Sequence, residues 1–464
     1  MSGETYPFSR RPESVPPVET RYRRIRTALP PPELSWVLAE SEATEPRSMA
    51  LDQLPVIWDR AEGFQVHDTE GNCWLDFSSG IFVANAGHAH PSVVQAIQDQ
   101  LSRPLLHNYY FPSEIRARLT RKLVEVSDPD LDCVFLLTTG SEATECAIKL
   151  ARIHGYKRDP KKLGIVTLTY GFHGKTLGSQ TAGGRPEAKW WIGQLDSNFH
   201  HLPVPFCVRC PWGKDGYDAC GQACFESGMQ QLADSGVDLS TICAFMFEPY
   251  QGWSAAFLPA DYVAAMRRWA DDHGALLISD EVQAGFGRTG KLFGYQHFGV
   301  PVDLVCCGKG LSSSLPISAV LGRRELVDVD PSLNSTHGGN PLCCAAALAN
   351  LEALQREQLV AKAADMGSVV QPRLQRLQER YPERIAAVSG AGAVWGILLQ
   401  KPGSQTWDVE MGDHITEQCM RRGVLLVRTG VGSIKLGPPL TMPVPALVEG
   451  LDVLAQVFED CLDG

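Results

Sequence analysis

Ala275-Leu276-Leu277-Ile278-Ser279-Asp280-Glu281-Val282-Gln283 reads as a buried apolar strand that ends in a carboxylate. Val302-Asp303-Leu304-Val305-Cys306-Cys307 is a second apolar strand, and Gly308-Lys309-Gly310 follows it at once. A lysine delivered by the end of a hydrophobic strand is desolvated, which lowers its pKa and makes it a usable amine nucleophile. A carboxylate held in a similar place suits a cationic ring nitrogen. Taken alone, the pair has a plainer reading, with Asp280 capping a helix and Lys309 on the surface of a Gly-rich loop.

A lysine and an aspartate so placed are the pairing that pyridoxal phosphate requires. Working outward, the chain carries SSGIFVANAGHAHP at 78–91, TTGSEATECAIKLAR at 138–152, YGFHGKTLG at 170–178 and FEPYQG at 247–252. SDEVQAGFGRTGKLF at 279–293, CGKG at 307–310 and STHGGNPLCCAAAL at 335–348 complete the series. In this order and spacing the chain resembles the class III pyridoxal-phosphate aminotransferases, the 4-aminobutyrate, ornithine and acetylornithine enzymes among them, from about Val56 to about Val457.

The resemblance implies an α/β fold of type I, with a mostly parallel-sheet large domain and a smaller α+β domain. Apolar runs at Val134–Leu137, Gly164–Leu168, Thr241–Phe247, Leu276–Ile278 and Leu304–Cys306 are continuous rather than alternating, as in strands buried on both faces. Ile57–Asp68 and Cys73–Phe77 read as short strands joined by a turn. The expected division is an extended arm over 1–50, the first part of the small domain over 51–90, the large domain over 91–360 and the rest of the small domain over 361–464. Two helices and short strands at Ala393–Leu399 and Val424–Val427 are expected in the last segment.

Thr139-Gly140-Ser141 opens a helix, where free N–H groups and the helix dipole attract an anion. A plain N-capped helix has the same pattern. The resemblance assigns Gly140 and Ser141 to the cofactor phosphate, with Thr336 reaching the same phosphate from a neighbouring subunit. That implies a homodimer with shared active sites. It also assigns Phe172 and His173 to one side of the cofactor ring, Val282 to the other and Gln283 to the ring hydroxyl. Glu248 is assigned to an acid near Asp280, and Lys309 and Asp280 to catalysis. For Phe172 and His173, core packing is the alternative.

Several look-alikes are set aside. Gly285-Phe286-Gly287-Arg288-Thr289-Gly290 fits the G-x-G-x-x-G pattern but lacks the strand-turn-helix unit of a nicotinamide site. Cys207, Cys210, Cys220 and Cys224 have a spacing that zinc or an iron–sulfur cluster could use, yet four reduced thiols in a surface loop fit as well, and no metal is assigned.

The departures from the family concern the substrate. Lys175 and Lys435 stand where arginines usually grip carboxylates, and lysine lacks the planar fork of guanidinium. Trp253 stands where a glutamate is common. Phe82 joins these three as a candidate substrate contact. The resemblance implies amino transfer from an ω-amino acid or terminal amine to a 2-oxo acid such as 2-oxoglutarate or pyruvate. Racemisation, decarboxylation, an aminomutase reaction or a silent scaffold are the alternatives.

Composition narrows the partners. In 464 residues the formal net charge is −11, which disfavours nucleic acid. No apolar run is long enough for a membrane helix. Fourteen cysteines spread along the chain suit a reducing cytoplasm, the expected location.

Overall fold

The structure, a computed structural model, describes residues 7–49, 53–109, 111–213, 220–253 and 256–463. The chain divides into two compact units, residues 91–363 and residues 1–90 with 364–464.

The unit of 91–363 is built on one sheet. Its strands are β1 (Cys133–Leu137), β2 (Gly164–Leu168), β3 (Phe199–Leu202), β4 (Ile242–Phe247), β5 (Leu276–Asp280), β6 (Leu304–Cys307) and β7 (Ser318–Gly322). Their spatial order is β1-β7-β6-β5-β4-β2-β3. From β6 through β5, β4 and β2 to β3 each neighbour is parallel, and β7 runs antiparallel to both β6 and β1. Strands β2, β4, β5 and β6 are buried along their whole length, as their apolar runs require, and β7 is buried as fully. This is an α/β fold of type I with a mixed, mostly parallel sheet. The turns after β1, β2, β4, β5 and β6 therefore leave from one edge, where parallel-sheet proteins bind ligands.

Two of these strands were not foreseen. Edge strand β3 carries His200 and His201, and its first three residues are only partly buried, so it lacks an apolar run. Strand β7 is small-residue rich, and its burial comes from lying between β1 and β6.

In the other unit the expected strand over 57–68 is two strands. Arg60–Glu62 and Gln65–His67 pair antiparallel about Gly63, whose φ of +58° favours glycine at this turn. They belong to a six-stranded sheet that also takes Val18–Glu19 and Arg24–Ile25. The first 50 residues are thus not simply an extended arm, and Phe8, Ile25 and Leu29 are buried. Val424–Leu425 joins Cys73–Asp76 in this sheet, whereas Val427–Arg428 pairs with Ser433–Leu436 in a four-stranded one. One apolar run therefore serves two sheets. After residue 358 there are three helices, Leu359–Arg380, Val409–Arg421 and Val444–Leu462, where two were expected.

Candidate active site

Asp280 is the last residue of β5 and is 4% exposed. Its Oδ2 lies 2.8 Å from His173 Nδ1, and its Oδ1 accepts the Val282 N–H at 3.1 Å. Burial opposes a charge on His173, but the hydrogen bond and charge of Asp280, with the charge of Glu248, raise its pKa above the usual value. The hydrogen bond locks the two side chains together, and Asp280 favours the protonated form of the imidazole. His173 is consequently turned to Asp280 as a partner, leaving the half-exposed Phe172 as the flat ring beside the cavity.

Glu248 follows β4 and is buried. Its Oε1 accepts the Phe172 N–H and its Oε2 accepts the Gly252 N–H, both at 2.8 Å. Burial raises its pKa. One carboxylate thus fastens the turn after β2 to the turn after β4.

Lys309 begins the turn after β6, behind the fully buried Cys306 and Cys307. Its φ of +40° is unfavourable for a residue with a Cβ, and such backbone is characteristic of functional sites. Burial pushes its ammonium pKa down to about 8, against the pull of Asp280 and Glu248.

Helix α1 (Gly140–Tyr156) starts directly after β1. Thr139 caps it, accepting the Glu142 N–H, while Glu142 Oε2 accepts the Thr138 and Thr139 N–H groups. Gly140 is required by a neighbour, because a Cβ there would lie 2.8 Å from Val282 Cγ1. Ser141 Oγ accepts the Lys175 N–H at 3.1 Å, and Thr144 Oγ1 donates to the His173 carbonyl at 2.6 Å. These bonds lay the 172–175 loop across the first turns of α1. Thr144 was not foreseen, since a helical threonine gives no sign of which carbonyl it will reach.

These groups converge on a cavity of about 200 Å³. Gly140, Ser141, Phe172, Val282, Gln283 and Lys309 line it, together with His173, Glu248 and Asp280. Thr336 is elsewhere in the unit, lining a separate cavity of about 610 Å³ with Thr138, Glu142 and Thr176. Lys175 lies with its Nζ 5.6 Å from the centre of the Phe172 ring. Trp253 stacks on Tyr170. Phe82 and Lys435 belong to the other unit, where Lys435 Nζ is 4.9 Å from the centre of the Phe82 ring.

Cys207 and Cys210 flank a short turn, Cys220 caps helix α2 (Gly221–Asp234), and Cys224 lies in its first turn. All are free thiols, and burial, reinforced by charge on the other three, pushes Cys207 up to about 11. Among the described residues no group of three or more His, Cys, Asp or Glu is placed to hold a metal.

The cavity thus offers an anion-binding helix start, a buried carboxylate, and an amine of lowered pKa between two walls. Residues 48–458 match the aminotransferase class-III family. The chain is a class III aminotransferase. This aminotransferase is 35% identical over 413 residues to an acetylornithine aminotransferase of Gloeobacter violaceus, covering 87% of this chain and 93% of that protein. It is 32% identical over 425 residues to a leucine/methionine racemase of Thermococcus litoralis, covering 90% and 94%. Among solved structures, an amine transaminase from an uncultivated Pseudomonas species in its PLP-bound form superposes with a TM-score of 0.82 at 30% identity. That likeness covers 90% of this chain and 97% of the other. The aminotransferase is a pyridoxal-phosphate-dependent transaminase acting between an amine donor and a keto acid. The donor set of the cavity fits the cofactor, because the start of α1, the buried Asp280 and the amine of Lys309 line one space. No helix among the described residues is long and apolar enough to cross a membrane.

Proposed function

We propose that this aminotransferase moves an amino group from an ω-amino acid or terminal amine to a 2-oxo acid such as 2-oxoglutarate or pyruvate. The observation that carries the reading is Lys309, an amine with its pKa pushed down to about 8, in one cavity with the Asp280–His173 pair.

Gly140 and Ser141 would hold the cofactor phosphate, Phe172 and Val282 its two ring faces, Gln283 its ring hydroxyl and Asp280 its ring nitrogen. When bound, pyridoxal phosphate supplies an electron sink that acidifies the amine-bearing carbon of the donor. The chain supplies positioning and the proton path. Lys309 Nζ, neutral, would take the proton from that carbon and, as ammonium, would deliver it to the cofactor carbon that receives the amino group. Asp280, held by His173, keeps a proton on the ring nitrogen. Glu248 holds the backbone of both Phe172 and Gly252 and so fixes the shape of the donor side. Lys175 is proposed to attract the carboxylate of the acceptor as a point charge, without the two-pronged grip of arginine. Thr336 is proposed to serve the site of a partner subunit in a homodimer. A reducing cytoplasm is the proposed setting.

Lys309→Ala tests the assignment. Turnover should vanish, and borohydride should no longer fix the cofactor to the chain, while far-ultraviolet dichroism is retained. Continued turnover would show that another amine does the work.

A second reading is racemisation, favoured by the leucine/methionine racemase of Thermococcus litoralis among the relatives. It is separated by omitting the acceptor. One isomer of leucine or methionine incubated alone with the holoenzyme would scramble under racemisation, and would stop after a single turnover under transamination.

A further inference from the structure

We propose that Cys207, Cys210, Cys220 and Cys224 bind one zinc ion, which staples the 203–213 segment to the start of helix α2. The inference goes beyond amino transfer and does not rest on it.

The sequence sets two pairs, C-x2-C and C-x3-C, with nine residues between them. The structure gives each pair a helical turn. Cys207–Arg209 is a 3₁₀ turn with Cys210 at its C-cap, and in such a turn side chains three apart stand over one another. Cys220 is the N-cap of α2, and Cys224 lies one turn on, its N–H donating to the Cys220 carbonyl at 2.8 Å. Residues four apart on a helix share a face. Trp212 brings the pairs together. It is two residues after Cys210, and its Nε1 donates to Cys224 Sγ at 3.2 Å. Cys207 lies within reach of the other three, whose charges, after burial, push its thiol up.

The two halves differ in what else holds them. Helix α2 is seated by Phe225, whose ring meets Phe245 and Tyr262 at centroid distances of 5.7 and 5.6 Å. Its first residue, Gly221, is pressed on Asp261, whose Oδ2 accepts the Gly221 N–H at 2.6 Å. The described 203–213 segment has prolines at 203, 205 and 211 and, besides the 3₁₀ turn, no helix or strand. Val204 is buried there, and its N–H donates to Thr169 Oγ1 at 3.0 Å. A segment with so little core is where a bound metal contributes most to order.

A cation also resolves the electrostatics. Four thiols this close oppose one another's ionisation, and a thiol held protonated is a slow nucleophile, which disfavours a disulfide. Zinc replaces about four protons, which leave to water, and draws the sulfurs to about 2.3 Å from itself. Among the described residues no three ligands are yet placed to hold a metal, so binding turns the cysteine side chains inward from their two turns. The start of α2, and Arg209 between the first two cysteines, set positive charge beside the tetrathiolate that results.

The test uses the reduced, full-length holoenzyme produced with zinc in the medium. Elemental analysis should find about one zinc per chain. The double variant Cys207→Ser with Cys210→Ser should hold none, and Cys210→His, which keeps a ligand, should hold it. Cys343→Ser, at a cysteine outside the cluster, should leave the metal in place. Metal-free wild type refilled with cobalt should show thiolate-to-metal charge transfer and the d–d bands of a tetrahedral site, and chelation should lower its melting temperature. The cobalt spectrum needs no variant, so it decides the matter even where the serine variant fails to fold. A wild type that neither contains zinc nor takes up cobalt overturns the site, as does zinc kept in full by a folded double variant. Iron with acid-labile sulfide, or a disulfide among the four cysteines in place of a metal, overturns it equally.

Discussion

Lys309 has a backbone its side chain does not favour and an ammonium its surroundings do not favour. Both follow from the turn that ends β6, where φ is +40° and burial brings the pKa to about 8. The neutral amine is the form that captures a carbonyl, and its fraction grows as pH rises towards the pKa. Capture of pyridoxal phosphate by cofactor-free protein should therefore accelerate with pH up to about 8 and then level, which stopped-flow absorbance would follow. A midpoint near the ordinary lysine value of about 10.4 would mean that burial does not act on the reactive amine. Asp280→Asn removes the charge facing His173, and turnover should fall by about two to four orders of magnitude with cofactor still bound. Near wild-type rates would remove Asp280 from catalysis. Lys309 and Asp280 could be read from the sequence because each ends an apolar run, and strand ends of one parallel sheet meet at one edge. The bond between Asp280 and His173 could not. It joins the end of β5 to the loop after β2, and nothing in Gly-Phe-His-Gly tells which of the two rings turns inward.

At the scale of elements, the cavity depends on how closely α1 and the turn after β5 approach. A methyl on Gly140 would lie 2.8 Å from Val282 Cγ1, so Gly140→Ala forces apart the helix start and one wall of the cavity. Overpacking of this kind costs about 1–3 kcal/mol, and both melting temperature and cofactor affinity should fall. The double variant Gly140→Ala with Val282→Ala should recover part of each loss, because the clash is with the valine methyls. Losses that simply add would place the strain elsewhere. Strands β2, β4, β5 and β6 were legible because burial on both faces demands unbroken apolar runs. Strand β3 escaped notice because an edge strand tolerates His200 and His201, and β7 because only its two neighbours reveal its burial. The run Val424–Val427 was legible as apolar, but the change of sheet within it is decided by its partners Leu75 and Asp76 on one side and Ile434 and Lys435 on the other.

For the whole molecule, the outstanding question is how many chains make one active site. Thr336 lines a cavity of about 610 Å³ beside the start of α1 rather than the cavity of Lys309, although the class III resemblance assigns it to a cofactor phosphate. If that phosphate belongs to a partner, Lys309 and Thr336 of one chain serve different sites. Lys309→Ala and Thr336→Ala proteins, each weak alone, are then complementary. A mixed dimer would contain one site with both lesions and one with neither. After random reassortment half of the dimers are mixed, so activity should return to about a quarter of the wild-type value, above the mean of the two parents. Dissociation and reassociation in mild denaturant, with separately tagged chains to isolate the mixed species, would measure it directly. Activity of the isolated mixed dimer equal to that parental mean would show that each chain builds its own site, and Thr336 would then have to act through Thr138 and Glu142 of the same chain.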